Sequence, residues 1–325
     1  MIITQTPLRI SFVGGGTDFA DFYRKEGGAV LSTAIDKYVF VIVKERFDDK
    51  IYLNWMKKEI VDSVDEIEHE LIREAMKKTG VLKGVEITTL SDIPAEGSGL
   101  GSSSSLTVGL LHALYLHAGR LVDVETLARE ACEIEIDILG KPIGKQDQYI
   151  AAYGGLKHIE FKNNDSVAIT SPKVDSEFLN QLDSQLMLFF TGKTRSSSEI
   201  LTKQQKAIES TFEILKKMRD QSNQLFQSFK KGKVDDLGKA LSLGWQYKKQ
   251  LADGITNREI DQMYLQALKV GAIGGKVAGA GGGGFLLLFV PLAKQEKVRQ
   301  ELSKYRELTF HLERDGTKAI FNIRR

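Results

Sequence analysis

The apolar positions of this 325-residue chain switch between two periods, and the switches mark its elements. Residues 1–13 (MIITQTPLRISFV) predict a strand ending at Gly14-Gly15-Gly16, with a short helix over residues 19–25. Residues 29–47 read as strand, densest in the β-favouring run Tyr38-Val39-Phe40-Val41-Ile42-Val43, and residues 50–55 continue it. Ile67, Leu71, Ile72, Ala75 and Met76 stand at helical spacing within residues 64–78, and Gly80 stops that helix. A strand over residues 85–90 then delivers the chain to PAEGSGLGSSSSLTVGLLHALYLH, residues 94–117. There Leu106, Leu110, Ala113, Leu114 and His117 recur every three or four residues, which predicts a buried helix with a serine N-cap.

Helices follow over residues 122–139 and 144–153, separated by Gly140-Lys141-Pro142, and then a strand over residues 156–161. The polar, turn-rich residues 163–177 are the expected boundary between two domains, 1–170 and 171–325. Beyond it come a strand over 185–190, a loop over 191–198 and two or three long helices up to residue 270. Strands over 276–290 and 308–323, with a helix over 292–305 between them, close the chain. Strand and helix blocks mix without alternating strictly, which predicts an α+β fold rather than a doubly wound parallel sheet.

Composition narrows the classes. At 42% hydrophobic and 27% charged residues the chain can build a core without staples, and a net charge of +2 gives no argument for nucleic acid or an anionic membrane. The single cysteine, Cys132, cannot form an internal disulfide and reads as a small core residue in a reducing compartment. Gln5, Arg9 and Asp18 interrupt any signal-peptide core, and the densest apolar run, residues 285–290, is far short of the roughly 20 residues of a membrane helix. The five histidines show no zinc-site spacing. The expectation is a soluble, cytoplasmic protein.

The chemistry starts in the glycines. Gly97, Gly99 and Gly101 let the backbone approach a ligand closely, and the helix behind them offers free N–H groups at its positive end. Serine hydroxyls there can donate to phosphate or ligate a hard cation. Two common nucleotide loops are absent. Gly192-Lys193-Thr194 would end a Walker A loop, but Met187 stands where its first glycine belongs. A dinucleotide fingerprint starting at Gly97 or Gly99 meets Ser102 or Ser104 in place of its third glycine. A second cluster, residues 274–284 (GGKVAGAGGGG), leads directly into a strand, which is unlike a linker. Arg9 and Asp18 flank the first glycine turn, and Glu135 and Asp147 lie twelve residues apart. Taken alone, these four also describe surface charges or, for Asp147, a residue that favours a helix start.

Three motifs in one order give the combination its meaning. Residues 7–18 (PLRISFVGGGTD), residues 94–106 and residues 276–285 resemble the three motifs of the GHMP small-molecule kinases, and together they span almost the whole chain. That resemblance implies a two-domain fold of mixed sheets and helices with the active site in the cleft between the domains. It implies ATP and Mg²⁺, with Gly97, Ser98, Gly99, Leu100, Gly101, Ser102, Ser103 and Ser104 at the ATP phosphates. Ser103 and Glu135 match the metal ligands, Asp147 matches the catalytic base, and Arg9 matches a cation near the transferred phosphate. Asp147 beside Arg9 or Lys145 would stay ionised, as a proton acceptor must.

Asp18, with Gly15, Gly16 and Thr17, matches the substrate-binding end of the first motif, and Gly281 and Gly282 that of the third. Galactokinases carry Gly-Glu-His before Thr-Asp; here the triple glycine stands instead. Together with residues 189–195 (FFTGKTR), it looks most like the kinases of D-glycero-D-manno-heptose 7-phosphate, which form the 1,7-bisphosphate for surface polysaccharide. On that resemblance Lys193, Arg195 and Arg9 would hold the substrate's own phosphate, since arginine favours bidentate phosphate contacts; Lys193 and Arg195 read equally as a solvated loop. The alternatives are a kinase of an unphosphorylated sugar such as fucose or galactose, and a non-catalytic sugar and ATP sensor. The expected partners are ATP and a sugar phosphate, with a homo-oligomer allowed and with no nucleic acid and no membrane.

Overall fold

The computed structural model describes residues 1–94, 97–193 and 197–323. The chain runs β1 (Ile2–Val13), α1 (Ala20–Glu26), β2 (Gly28–Glu45), β3 (Ile51–Asn54), β4 (Lys58–Val61), α2 (Glu70–Thr79), β5 (Val85–Ser91) and α3 (Ser102–His117). It continues through α4 (Val124–Cys132), α5 (Gln146–Tyr153), β6 (Leu156–Phe161), β7 (Val167–Thr170), α6 (Ser176–Ser184) and β8 (Leu186–Phe190). Then come α7 (Ser197–Lys206), α8 (Phe212–Lys230), α9 (Asp236–Lys248), α10 (Arg258–Val270), β9 (Gly274–Val277), β10 (Phe285–Phe289), α11 (Leu292–Glu301), β11 (Glu307–Leu308), β12 (Leu312–Glu313) and β13 (Lys318–Asn322).

Among the described residues two sheets form. The larger has nine strands along β13-β1-β2-β5-β3-β4, with β12 and β6 on β2 and β7 on β6; the smaller has the order β11-β8-β10-β9. Every pair is antiparallel except β3 with β5. β2 is long enough to serve two strands besides β1 and β12: Gly28–Thr33 pairs with β6 and Val39–Glu45 with β5. The boundary expected at 170/171 falls between β7 and α6, yet β12 and β13 return to β2 and β1. The first and last strands are thus sewn together, by Ile2↔Asn322 and by the Thr6–Thr317 hydroxyl pair at 2.8 Å.

α3 is apolar all round, and its residues from Thr107 to Leu116 are almost all buried, as a helix between a sheet and other helices requires. It lies on β1 and β2, with α2, α4 and α5 on its other sides. α8 and α9 cover the other part of β1 and β2, and α9 also packs on β9, so the smaller sheet closes against the larger through that helix. The core accordingly has one cluster around α3 and two around α8, α9 and β10.

Two expected helices are interrupted. Residues 64–78 divide into a 3₁₀ turn, Val64–Glu66, and α2, whose start His69 caps by accepting from Ile72 N at 3.4 Å. Residues 122–139 begin as α4 but widen into a π-helical turn, Glu133–Ile138, where Leu139 N bonds to Ile134 O at 3.0 Å. That extra residue per turn occurs where Glu135 reaches toward α3 and α5. No described helix is long and apolar enough to cross a membrane. Cys132 is buried, which pushes its thiol pKa well up and leaves it inert.

Candidate active site

Gly97, Gly99 and Gly101 all take positive φ (72°, 74° and 82°), a repeat that only glycine adopts without strain. The serine expected as N-cap is not one: Gly101 holds that position in a left-handed conformation, and the serines have entered the helix. Their hydroxyls are committed elsewhere: Ser105 donates to Pro7 O (2.8 Å), Ser98 and Ser102 share a bond (3.3 Å), and Ser103 donates to Glu135 (2.6 Å). The first bond of α3 runs from Ser105 N to Gly101 O (3.0 Å), so the N–H groups of Ser102, Ser103 and Ser104 precede the ladder. They stand at the positive end of the helix, a place suited to anions.

The two glycine clusters pack backbone on backbone. A methyl built on Gly279 would come within 2.5 Å of Gly99 Cα, and one on Gly99 within 2.5 Å of Ala278 O. The far cluster is therefore a wall against the loop before α3, not a hinge.

Arg9 joins this loop to a cleft. Its backbone N bonds to Leu100 O (2.9 Å) and its Nη1 to Gly99 O (2.6 Å). Its Nε and Nη2 hold both oxygens of Asp147 at 2.7 and 2.5 Å, a bidentate fork. The charge read beside Asp18 on a possible surface is thus 5% exposed and paired with a carboxylate 138 residues away. Asp147 sits in the first turn of α5 and keeps 23% of its side chain open to the cleft. Lys145, the other cation expected near it, points away and lies 3.7 Å from Asp165.

Asp18 fastens the same helix start. It accepts from Gln146 N (3.2 Å), Gln146 Nε2 (3.0 Å) and Gly16 N (2.9 Å). Burial, and then the negative charge of Asp147, raise its pKa, while the backbone donors pull it down. The cleft these residues line spans about 550 Å³, part of it open solvent. Gly15, Gly16 and Asp18 are on its wall with Arg9 and Asp147.

Two lysines complete it. Lys248, the last residue of α9, is buried and donates to Gly279 O. Burial, and then Arg9, lower its pKa to about 8, against the pull of Asp18 and Asp147, so its charge thins out as pH rises through that value. Lys276 on β9 donates to Ser11 O (2.9 Å) and Phe12 O (3.1 Å); burial, Lys248 and Arg9 hold its pKa well below the ordinary value. Lys276 lies inside the third motif, so a signal for it existed. Lys248 had none: beside Lys249 it reads as a solvated helix charge.

Other expected site residues lie off this wall. Thr17 turns inward, its hydroxyl bonded to Gly14 O (2.8 Å) and Ala29 O (3.0 Å). Gly282 N bonds to Ile255 O (2.8 Å) and Gly281 packs on the same residue, so Gly279 and Ala280 face the cleft instead. Lys193 is exposed and paired with Glu259 at 2.7 Å. Arg195 lies outside the described residues.

Glu135 is fully buried; one oxygen accepts from Ser103, and the other from Gln148 Nε2 (2.7 Å). Burial raises its pKa against the pull of Lys141, whose ammonium is 3.9 Å away, and of nearby hydroxyls. The described residues hold no cluster of three carboxylate, histidine or cysteine ligands. A carboxylate touching a hydroxyl is nonetheless a hard-oxygen pair that fits Mg²⁺, which keeps waters and takes phosphate oxygens for its remaining positions.

Comparison with known proteins gives this arrangement its class. The GHMP kinase N-terminal domain matches residues 57–155 and the GHMP kinase C-terminal domain residues 225–307. A D-glycero-alpha-D-manno-heptose 7-phosphate kinase of Campylobacter jejuni is 30% identical over 98% of both chains. The chain belongs to the GHMP kinases and has their two-domain fold. A solved structure described as a D-glycero-D-manno-heptose 1-phosphate kinase from Bacteriodes thetaiotaomicron superposes with a TM-score of 0.83, at 27% identity and covering 100% of each chain. The galactose complex of Lactococcus lactis galactokinase shares the fold at 20% identity, with a TM-score of 0.78 and coverage of 98% and 95%.

Proposed function

We propose that this GHMP kinase transfers the γ-phosphoryl group of ATP to the anomeric (C1) hydroxyl of a sugar phosphate, D-glycero-D-manno-heptose 7-phosphate, giving the 1,7-bisphosphate. The observation that carries the transfer chemistry is the Arg9 fork, which ties the glycine loop before α3 to the carboxylate of Asp147. The sugar is supported by the similarity along 98% of the chain to the Campylobacter enzyme. The Bacteriodes relative's name also specifies a phosphorylated manno-heptose but sets the phosphate on a different carbon.

In this reading the N–H groups of Ser102 to Ser104 and the turns at Gly97, Gly99 and Gly101 hold the triphosphate. The sugar lies in the cleft against Gly15, Gly16 and Asp18. Its C1 oxygen attacks the γ-phosphorus, the bond to the ADP oxygen breaks, and the hydroxyl proton passes to Asp147. Arg9 and Lys248 add positive charge where the transferred group gains negative charge. Mg²⁺, held by Glu135 and Ser103, would neutralise phosphate charge. We also propose the domain boundary near residue 170, with β12 and β13 returning to the first domain's sheet.

Two measurements check this reading. A panel of sugars and sugar phosphates in a coupled ADP-release assay is expected to show turnover with the heptose 7-phosphate; turnover on free fucose or galactose alone would overturn the substrate, and no turnover on any would favour a sensor. Glu135→Gln is expected to raise the Mg²⁺ concentration for half-maximal activity at least about tenfold at fixed ATP. An unchanged Mg²⁺ titration would remove Glu135 from the metal site.

A further inference from the structure

Ser11 lies on β1 between Arg9 and the glycine turn, 6% exposed, and its hydroxyl has no hydrogen-bond partner among the described residues. The same holds for Oε1 of Gln146. Both side chains line the cleft of Asp147. A buried polar atom without a partner is costly unless a ligand satisfies it. The orientation of Gln146 is fixed by its neighbours, because Nε2 faces the acceptor-only carboxylate of Asp18 at 3.0 Å, which leaves Oε1 as the free acceptor. The Ser11 backbone is fixed too: its carbonyl accepts from Lys276, and it sits opposite Ser32 in the β1–β2 register.

Gly15 keeps the space beside them open. A methyl built there would lie 3.6 Å from Gln146 Nε2 and 3.7 Å from Ser11 Oγ, with no other atom of the described residues within 4 Å apart from its chain neighbours. Its φ is not in the left-handed region, so the backbone itself would accept a side chain. The missing Cβ leaves space beside Ser11 and Gln146 that the turn itself does not require.

We propose that Ser11 and Gln146 are specificity-determining residues that read hydroxyl groups of the acceptor in the corner left open by Gly15. This rests on the sugar-phosphate kinase reading and extends it. A free hydroxyl and a free carbonyl oxygen side by side suit a polyol, whose hydroxyls can accept from Ser11 and donate to Gln146. A site built to bond a hydroxyl rejects the analogue lacking it, because its own polar atoms are then left unpaired.

The test compares wild type with Ser11→Ala and Gly15→Ala, on D-glycero-D-manno-heptose 7-phosphate and its monodeoxy analogues. Ser11→Ala is expected to lower kcat/KM for the acceptor about 10- to 100-fold, mainly through KM, with KM for ATP unchanged. One deoxy analogue should lose a similar factor with wild type and none further with Ser11→Ala. Gly15→Ala should raise KM for the acceptor alone. The melting temperature without ligand should hold or rise in Ser11→Ala, since an unpaired hydroxyl is removed; a fall would mean the hydroxyl is a structural bond and would overturn the proposal. So would acceptor kinetics within twofold of wild type, or identical deoxy profiles for the two proteins. If wild type phosphorylates the heptose and the variants match it, this inference fails and the activity stands. If wild type phosphorylates no sugar phosphate, both fall.

Discussion

Asp147→Asn is expected to lower kcat about 10³-fold, the middle of the range for a lost general base, while ATP affinity changes less than about threefold. The amide keeps the shape of the carboxylate but cannot take the proton of the attacking hydroxyl. The separation of effects follows from position: Asp147 heads α5 on the cleft side, whereas the serine N–H groups belong to α3. Arg9 also loses one of its two acceptors on that group, since the amide nitrogen cannot accept, so part of the loss is positional. ATP affinity by calorimetry and turnover by ADP release would separate the two. Turnover within about tenfold of wild type would mean that another group is the base.

The second large effect falls on Arg9. Arg9→Lys preserves charge but removes the planar fork that reaches both oxygens of Asp147 and, through a third nitrogen, Gly99 O. A lysine can satisfy only part of that set from a site that is 5% exposed. The expected loss is about 10²-fold in kcat, the scale of a misplaced reacting group, with KM for ATP raised as the loop at Gly99 loosens. Losing two charge-assisted bonds at a buried site should also lower folding stability by about 1–3 kcal/mol, measurable by urea unfolding. Wild-type kcat with lowered stability would make Arg9 a structural strut and not part of the transfer site.

These two effects depend on contacts that local sequence could not carry equally. The strand of β1, the glycine loop at 97–101 and the apolar helix after it are written in short-range periodicity, and the three glycine-bearing motifs carried the family. Arg9 and Asp147 are 138 residues apart, so composition and spacing left the one as a surface charge and the other as a helix-start carboxylate; only motif resemblance brought them near one site. The π-helical turn at Glu133–Ile138 is invisible in a helical pattern; it coincides with Glu135 bonding Ser103 and Gln148, partners that lie far along the chain or on another helix. Lys248 is the clearest miss. Its burial comes from Gly279 and β9 packing over the end of α9, a tertiary fact with no trace in a Tyr-Lys-Lys run. The return of β12 and β13 to the first sheet is likewise a long-range pairing, which short strands near a chain end do not announce.

The proposed reaction moves the phosphoryl group of ATP to C1 of a heptose already phosphorylated at C7. The most direct measurement is phosphorus NMR of the purified enzyme with ATP, Mg²⁺ and D-glycero-D-manno-heptose 7-phosphate. A second sugar phosphorus signal coupled to the anomeric proton, growing in step with ADP, is the predicted result. A new phosphate ester on another carbon, or release of inorganic phosphate with the sugar unchanged, would contradict it.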